Sequence, residues 1–308
     1  MQVSRRVQQL VAVAGILLTT VWTSVLAQPG YFPSPEEAVT ALIAAVKAGQ
    51  EGALQAVLGP EAAELGSGDA VEDAAERDRF VAVAEAGVRI DRQGDDRAEL
   101  LLGADAWPFP IPLVKEGAGW RFDTAAGKEE LLNRRIGSNE LHAIATVRAI
   151  VDAQYEYAAA DPMGEGLHEY AQRFRSSEGQ RDGLYWPSDG AGNESPLGRL
   201  VAEAVKEGYV RSEDGAPSPY HGYFYRLLTA QGSHAPGGAR SYLKDGRLVD
   251  GFALLAYPAE YGKSGVMTFL VNQRGLVFEK DLGEDTANLA AALETYDPDK
   301  TWTPVAAD

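Results

Sequence analysis

The stretch from Glu140 to Asp281 constrains the fold more than any other part of the chain. Leu141, Ile144, Val147, Val151 and Tyr155 recur at helical spacing, which predicts one long helix over Glu140–Ala160. A polar, glycine-rich excursion follows, and then a shorter helix over Pro196–Glu207 carrying Leu197, Leu200, Val201 and Val205. Four runs with strand character come next: "GYFYRLLTA", "GFALLAYP", "VMTFLVNQ" and "GLVFEKDL". The last two are joined by "NQRG", whose glycine suits the positive φ of a short hairpin loop. A long helix, an excursion and an antiparallel meander define an α+β unit.

The residues before it read as a second, smaller α+β unit. Ser34 caps a helix that has Pro35 at its first position and Glu37 completing a capping box. Ala38, Leu42, Ala45 and Val46 form its apolar face, and Gly49 ends it. Further helices are expected over Gly52–Leu58 and over Ala74–Ala86, the latter turning Phe80 and Val83 inward. "AELLLG" (Ala98–Gly103) and "WRFDT" read as strands. Between them, "WPFPIPLV" places Pro108, Pro110 and Pro112 where a central strand would need N–H donors, so it is an edge strand or a polyproline-like run. "IGSNEL" then opens the second unit. The expected organisation is a signal peptide at 1–27, an N-terminal α+β domain at 28–137 and a C-terminal α+β domain with an antiparallel sheet at 138–308.

The leader carries Arg5 and Arg6, then the apolar run "LVAVAGILLTTV", then small residues at Val25 and Ala27, the pattern of an export signal cleaved before Gln28. The expected location is the periplasm or the exterior of a Gram-negative-type envelope. "SRR" at Ser4–Arg6 leaves the general secretory and twin-arginine routes both open. The apolar run is too short for a stable span, so no membrane insertion is expected after cleavage.

There is no cysteine in the chain. Disulfides, thiol nucleophiles, iron–sulfur clusters and thiolate zinc sites are therefore excluded, and stability must come from core burial. The net charge of −17 disfavours nucleic acid and anionic lipid surfaces as partners.

Few constellations suggest chemistry. "GKSG" (Gly262–Gly265) lies between two strands and matches neither a nucleophile elbow nor a phosphate loop; a hairpin connection is the expected reading. His142, His168, His221 and His234 show no metal-ligand spacing. In "DPMGEGLHEY", Asp161, Glu165 and Gly166 fall at positions a calcium loop would use, although Met163 occupies a ligand place; calcium is the single cofactor candidate, against a plain helix end. The densest aromatic stretch is "SPYHGYFYRLL", where His221, Tyr223, Tyr225 and Leu227 share one face of a strand. Tyr185, Trp186, Tyr220, His221 and Tyr223 are the candidate ligand-binding residues, and no residue is assigned a catalytic role. A packed strand is the competing reading: Tyr223 and Tyr225 would face inward and meet the "LYWP" loop, with Trp186 covering the sheet edge and Gly222 admitting the loop backbone.

The strings "WPFPIPLVKEGAGWRFDTAAGKEELLNRRIGSNEL", "RDGLYWP", "YHGYFYRLLTAQG", "GFALLAYPAEYGKSGVMTF" and "VNQRGLVFEKDLG" resemble the bacterial family catalogued as Domain of Unknown Function 2950. That resemblance implies an exported protein of one architecture and carries over no catalytic residue. The C-terminal half also resembles, in its order of elements, the globular head of type II secretion pseudopilins and type IV pilins. A soluble domain stands where those proteins have their membrane-inserted helix, so the likeness does not imply a filament.

Three expectations of function follow. The first is a non-enzymatic envelope protein that binds a protein partner or a small ligand. The second is a hydrolase or lyase acting on an envelope polysaccharide or peptidoglycan-type polymer, for which two carboxylates inside an aromatic cleft would speak. The third is an accessory role in a secretion or pilus-like assembly.

Overall fold

The computed structural model describes residues 30–188, 190, 194–207, 209 and 218–306. The expected signal segment lies outside the described residues. Within them the protein is α+β, helices combined with antiparallel sheets, and no helix is long and apolar enough to cross a membrane.

Helix α1 (Pro35–Ala48) forms as its caps dictate: the Ser34 side chain accepts from the Glu37 N–H at 3.2 Å, and Gly49 closes the helix in the left-handed region. Helix α2 (Glu51–Leu58) and a single 3-10 stretch (Pro60–Leu65) lead to α3 (Ala70–Ala86). Helix α3 starts earlier than the apolar pattern suggested because Asp69 caps it, accepting from the N–H groups of Val71 and Glu72. It buries only Glu72 and Ala84 along its length.

A sheet follows. Strands β1 (Val88–Arg92), β2 (Arg97–Leu102), β4 (Leu113–Glu116) and β5 (Gly119–Phe122) lie in that order, and the two-residue β3 (Trp107–Pro108) also pairs with β2. The proline-alternating run thus contributes a short strand, an extended turn and then β4. Strand β1 escaped sequence reading because its pattern is largely exposed and charged; its order comes from pairing with β2, whose Ala98, Leu100 and Leu102 are buried. These elements surround a first core containing Val39, Leu42, Leu100, Ile111, Leu113, Trp120 and Phe122.

Helix α4 (Thr124–Ala160) is 37 residues long and passes without a break through the expected start at Glu140. The part ahead of Glu140, which contains Gly137 and Gly127, crosses another element at Gly127. A Cβ there would lie 2.5 Å from Ile111 Cα and 2.8 Å from the Pro110 carbonyl, so the helix needs glycine to cross that backbone. The N-terminal part of α4 turns Leu131 toward the first core. Its C-terminal part buries Ala143, Val147, Ile150, Val151 and Tyr157 in a second core. Leu141 (69 % exposed) and Tyr155 are the large hydrophobic residues it leaves outside.

The second core is built on a sheet of order β14-β13-β12-β11-β6. Its members are β6 (Tyr223–Leu228), β11 (Ala253–Pro258), β12 (Met267–Asn272), β13 (Phe278–Asp281) and β14 (Thr303–Pro304). Two short ladders interrupt it, β7 (Ala230–Gln231) with β8 (Arg240–Ser241) and β9 (Leu243–Lys244) with β10 (Arg247–Leu248). Helix α5 (Gly198–Glu207) precedes the sheet. Helix α6 (Thr286–Ala292) is held to it by Arg226, which donates to the carbonyls of Ala290 and Leu293. Strands β11 and β12 are buried along almost their whole length, which is why their sequences are apolar without alternation. The "GKSG" segment is their connection: buried Ser264 accepts from the Glu260 N–H at 2.9 Å.

Candidate functional site

Where the two cores meet, three parts of the chain converge on one cleft. Helix α3 supplies Glu72 and Arg79, α4 supplies Ser138 and His142, and the end of α5 with the segment after it supplies Glu207, Tyr209 and His221. The cleft has a volume of about 340 Å³.

Its frame is set by buried polar contacts. Asn139 Nδ2 donates to the Ser264 carbonyl at 2.9 Å, and Glu140 Oε1 accepts from the N–H groups of Val266 and Met267. The middle of α4 is thereby riveted to the β11–β12 connection. On the other side, Asp69 Oδ2 accepts from the Gly222 N–H at 3.1 Å and from the Tyr209 hydroxyl at 2.9 Å. The Tyr209 oxygen accepts in turn from the His221 N–H at 3.1 Å. His221 and Gly222 both have positive φ, +48° and +71°. Such a conformation is costly at a histidine and persists only where its surroundings impose it; here the two backbone donors locked onto Tyr209 and Asp69 do so. Gly222 has no room for a side chain, because a Cβ would lie 2.6 Å from Asn139 Nδ2. Close approach at Gly222 was expected, but what approaches is α4 and Ser264, not the "LYWP" loop.

His221 is held between two carboxylates. Its Nδ1 lies 3.4 Å from Glu72 Oε2 and its Nε2 lies 3.4 Å from Glu207 Oε2. An imidazolium has a donor for each oxygen, whereas the neutral ring has one. The His142 ring stacks on His221 at 4.3 Å between centroids, and Tyr220 and Tyr209 flank it at 4.2 and 5.8 Å. Hydrogen bonding from His221, and then from Arg79 at 2.7 Å, holds the Glu72 carboxyl at a pKa of about 2. Desolvation, and then the neighbouring His221, lower the pKa of His142. Desolvation, reinforced by Glu207, pushes the Tyr220 hydroxyl up to about 12. The arrangement offers an oriented imidazole, a half-open carboxylate at Glu207 and aromatic faces, but no three histidine or carboxylate side chains among the described residues are placed so that they could hold a metal ion.

Of the candidates read from sequence, Tyr220 and His221 are at this cleft. Tyr223 is fully buried, donates its hydroxyl to the Met267 carbonyl at 2.9 Å and packs on Phe269. Trp186 is 8 % exposed and belongs to the second core, its ring edge-on to Tyr157 of α4 and near Arg181. Tyr185 is half-buried beside Arg175. These three are structural neighbours of the second core and do not join the cleft. The Tyr225 hydroxyl reaches the Tyr220 carbonyl at 3.4 Å, so this tyrosine supports the turn from behind. Asp161 ends α4, accepting from the N–H groups of Glu165 and Gly166, and Glu165 pairs with Arg247. Both oxygens of Asp161 are thus engaged by its own loop. His168 meets the Ala158 carbonyl and His234 pairs with Asp297, each away from the cleft.

Glu72, Arg79, His142, Glu207 and Tyr209 were missed by sequence reading. They come from segments more than sixty residues apart in the chain, and no local spacing links them.

These features define an α+β protein with a histidine–carboxylate cleft where two hydrophobic cores meet. The chain belongs to the family described as "Protein of unknown function (DUF2950)", whose model matches residues 30–305. No curated protein and no solved structure matches it.

Proposed function

We propose that this is a non-enzymatic binding protein of the cell envelope, and that its ligand is a small basic molecule seated in the junction cleft. The observation that carries this reading is Glu207: its carboxylate is 44 % exposed and faces His221 from the open side of the cleft. A ligand ammonium can pair with Glu207 while lying against the Tyr209 ring, an aromatic surrounding that favours cations. Arg79 is occupied by Glu72 and does not neutralise Glu207. The test is a thermal-shift and calorimetric screen of the purified protein with ethanolamine, putrescine and glucosamine, each beside its neutral hydroxyl analogue. Saturable binding of an amine, lost in Glu207→Gln, is the expected result. Equal response to amines and neutral analogues overturns the reading.

A second reading, a hydrolase or lyase acting on an envelope polymer, draws on the Glu72–His221–Glu207 alignment. A carboxylate that orients one nitrogen of an imidazole sets up proton transfer at the other, which here faces the half-exposed Glu207. The His221 ring stands between the two carboxylates, so they do not share the open gap of a glycosidase pair. Turnover of a peptidoglycan or polysaccharide substrate that disappears in His221→Gln would replace binding by catalysis.

A further inference from the structure

The first core is not closed. A cavity of about 770 Å³ opens beside it, bounded by α1, α2, α3, the β2–β3 corner and the start of α4. That volume lies within the range of about 300–1,000 Å³ typical of sites for one small molecule. Leu54, Leu65, Phe80, Phe109 and Leu131 pack on the core yet remain only partly buried, and they form its wall. At the rim, Trp107 is 58 % exposed and Val83 39 % exposed. Helix α3 makes the cavity possible, since its large apolar residues, Phe80 and Val83, lie outside the set it buries.

Among the cationic side chains that line this cavity, Arg134 has a buried donor left unused. The Arg134 guanidinium lies 4.5 Å from the Trp107 ring centre, and its Nε donates to Glu130 at 2.7 Å. Its Nη1 is shielded from solvent and has no hydrogen-bond partner. The Arg134 side chain is 33 % exposed, so an incoming anion can pair with the guanidinium at the rim, and turning Nη1 toward it would give the unmet donor its acceptor. The adjacent Arg135, by contrast, is saturated by Glu76 and the Leu65 carbonyl.

We propose that this cavity binds a single acyl chain ending in an anionic head, the chain lying on the half-buried leucines and phenylalanines and the head meeting Arg134. The head can be a carboxylate or a phosphate, since both present paired oxygens to a guanidinium. A chain with a cationic head lacks the acceptor that Nη1 needs. Glu72, Arg79 and Ser138 border both openings, but Glu207 and His221 line only the polar cleft and Arg134, Trp107 and Val83 only this cavity, so substitutions at those residues test the two sites separately.

The experiment is calorimetric titration of the purified protein with dodecanoate, dodecyl phosphate and dodecylamine below their micellar concentrations. Saturable one-to-one binding of at least one anion, at least tenfold tighter than the amine, is expected. The tighter of the two anions tells whether a free fatty acid or a phospholipid-derived monoacyl phosphate is the better fit. Arg134→Gln and Val83→Glu, both at the partly exposed rim, should each weaken that binding at least tenfold with unchanged melting temperature. Absence of saturable binding, equal affinity for dodecylamine, or indifference to both substitutions overturns the proposal. Sedimentation with phosphatidylglycerol vesicles without binding of the free amphiphiles also overturns it, because the opening would then be a membrane-docking surface.

Discussion

The carboxylate of Asp69 accepts the backbone N–H of Gly222 at 3.1 Å, across a sequence separation of 153 residues. One side chain therefore caps α3 through one oxygen and, through the other, anchors the turn that presents His221. Building the cleft and joining the two cores are the same structural act. Asp69 itself is 2 % exposed, and without it the N–H groups of Glu72 and Gly222 would be buried without a partner.

Asp69→Ala should accordingly cost more than a lost helix cap. A cap is worth about 1 kcal/mol, and the buried Gly222 N–H left unmet adds about 1–3 kcal/mol. The expected loss is about 2–4 kcal/mol in urea unfolding, with Asp69→Asn losing less because it keeps an acceptor. A cost no greater than 1 kcal/mol would mean that the Gly222 and Tyr209 contacts contribute nothing.

Glu72 predicts an acid limit. Its pKa is lowered from 4.5 to about 2 in the folded protein, so folding favours its ionised form. That contribution is fully present above about pH 4.5 and is lost as pH falls from there toward 2. With a carboxyl mostly shielded from solvent, the contribution is on the order of 2 kcal/mol. Glu72→Gln should be less stable than the parent at pH 7, and the gap should close at pH 2–3. A gap independent of pH removes the ion-pair explanation.

His142 should titrate below an ordinary histidine, since burial in the cleft and the His221 ring both lower its pKa. Because that folded value is depressed, the neutral ring is favoured above the ordinary imidazole range, and the preference is lost on acidification. In proton-NMR titration, His221→Gln should move the His142 midpoint upward by removing a neighbouring charge. A downward shift would show that His221 acts on His142 by some route other than repulsion.

How much of this was legible in sequence depended on the range of the interaction responsible. Ser34, Pro35 and Gly49 announced α1 because capping is settled within four residues. Strands β11 and β12 were legible because fully buried strands are written as apolar runs with turn residues between them, and the half-exposed β13 because the "NQRG" turn announces a hairpin after β12. The start of α4 was not, because Gly127 and Gly137 interrupt the stretch ahead of Glu140, whose place in the helix is set by contact with Ile111 and the first core. Strand β1 was hidden by its charged faces. At the cleft, Tyr220 and His221 stood out as an aromatic cluster, whereas Glu72 and Glu207 are two among 45 acidic residues until the fold sets them against one imidazole.

Trp186 tests whether the excursion after α4 is anchored by burial. Its ring is 8 % exposed and lies 6.5 Å from that of Tyr157, within the second core. Trp186→Ala should destabilise the protein by about 3–5 kcal/mol, the range for truncating a buried large aromatic. An unchanged melting temperature would mean that the ring is a surface group available to a ligand.

Two glycines of α4 give opposite predictions from the same substitution. Alanine is favoured over glycine in a helix interior by about 1 kcal/mol. At Gly137 a Cβ would meet nothing within 4 Å, so Gly137→Ala should stabilise the protein by about 0.5–1 kcal/mol. At Gly127 the added atom would stand 2.5 Å from Ile111 Cα and 2.7 Å from its Cγ1. Backbone cannot rotate away as a side-chain tip can, so α4 would have to separate from the Pro110–Ile111 segment that bounds the first core. The gain in helix propensity is then outweighed by overpacking, and Gly127→Ala should destabilise by about 1–3 kcal/mol. Urea unfolding of the two variants side by side decides the matter. If both are stabilised, α4 does not cross Ile111 at the closeness that makes Gly127 necessary.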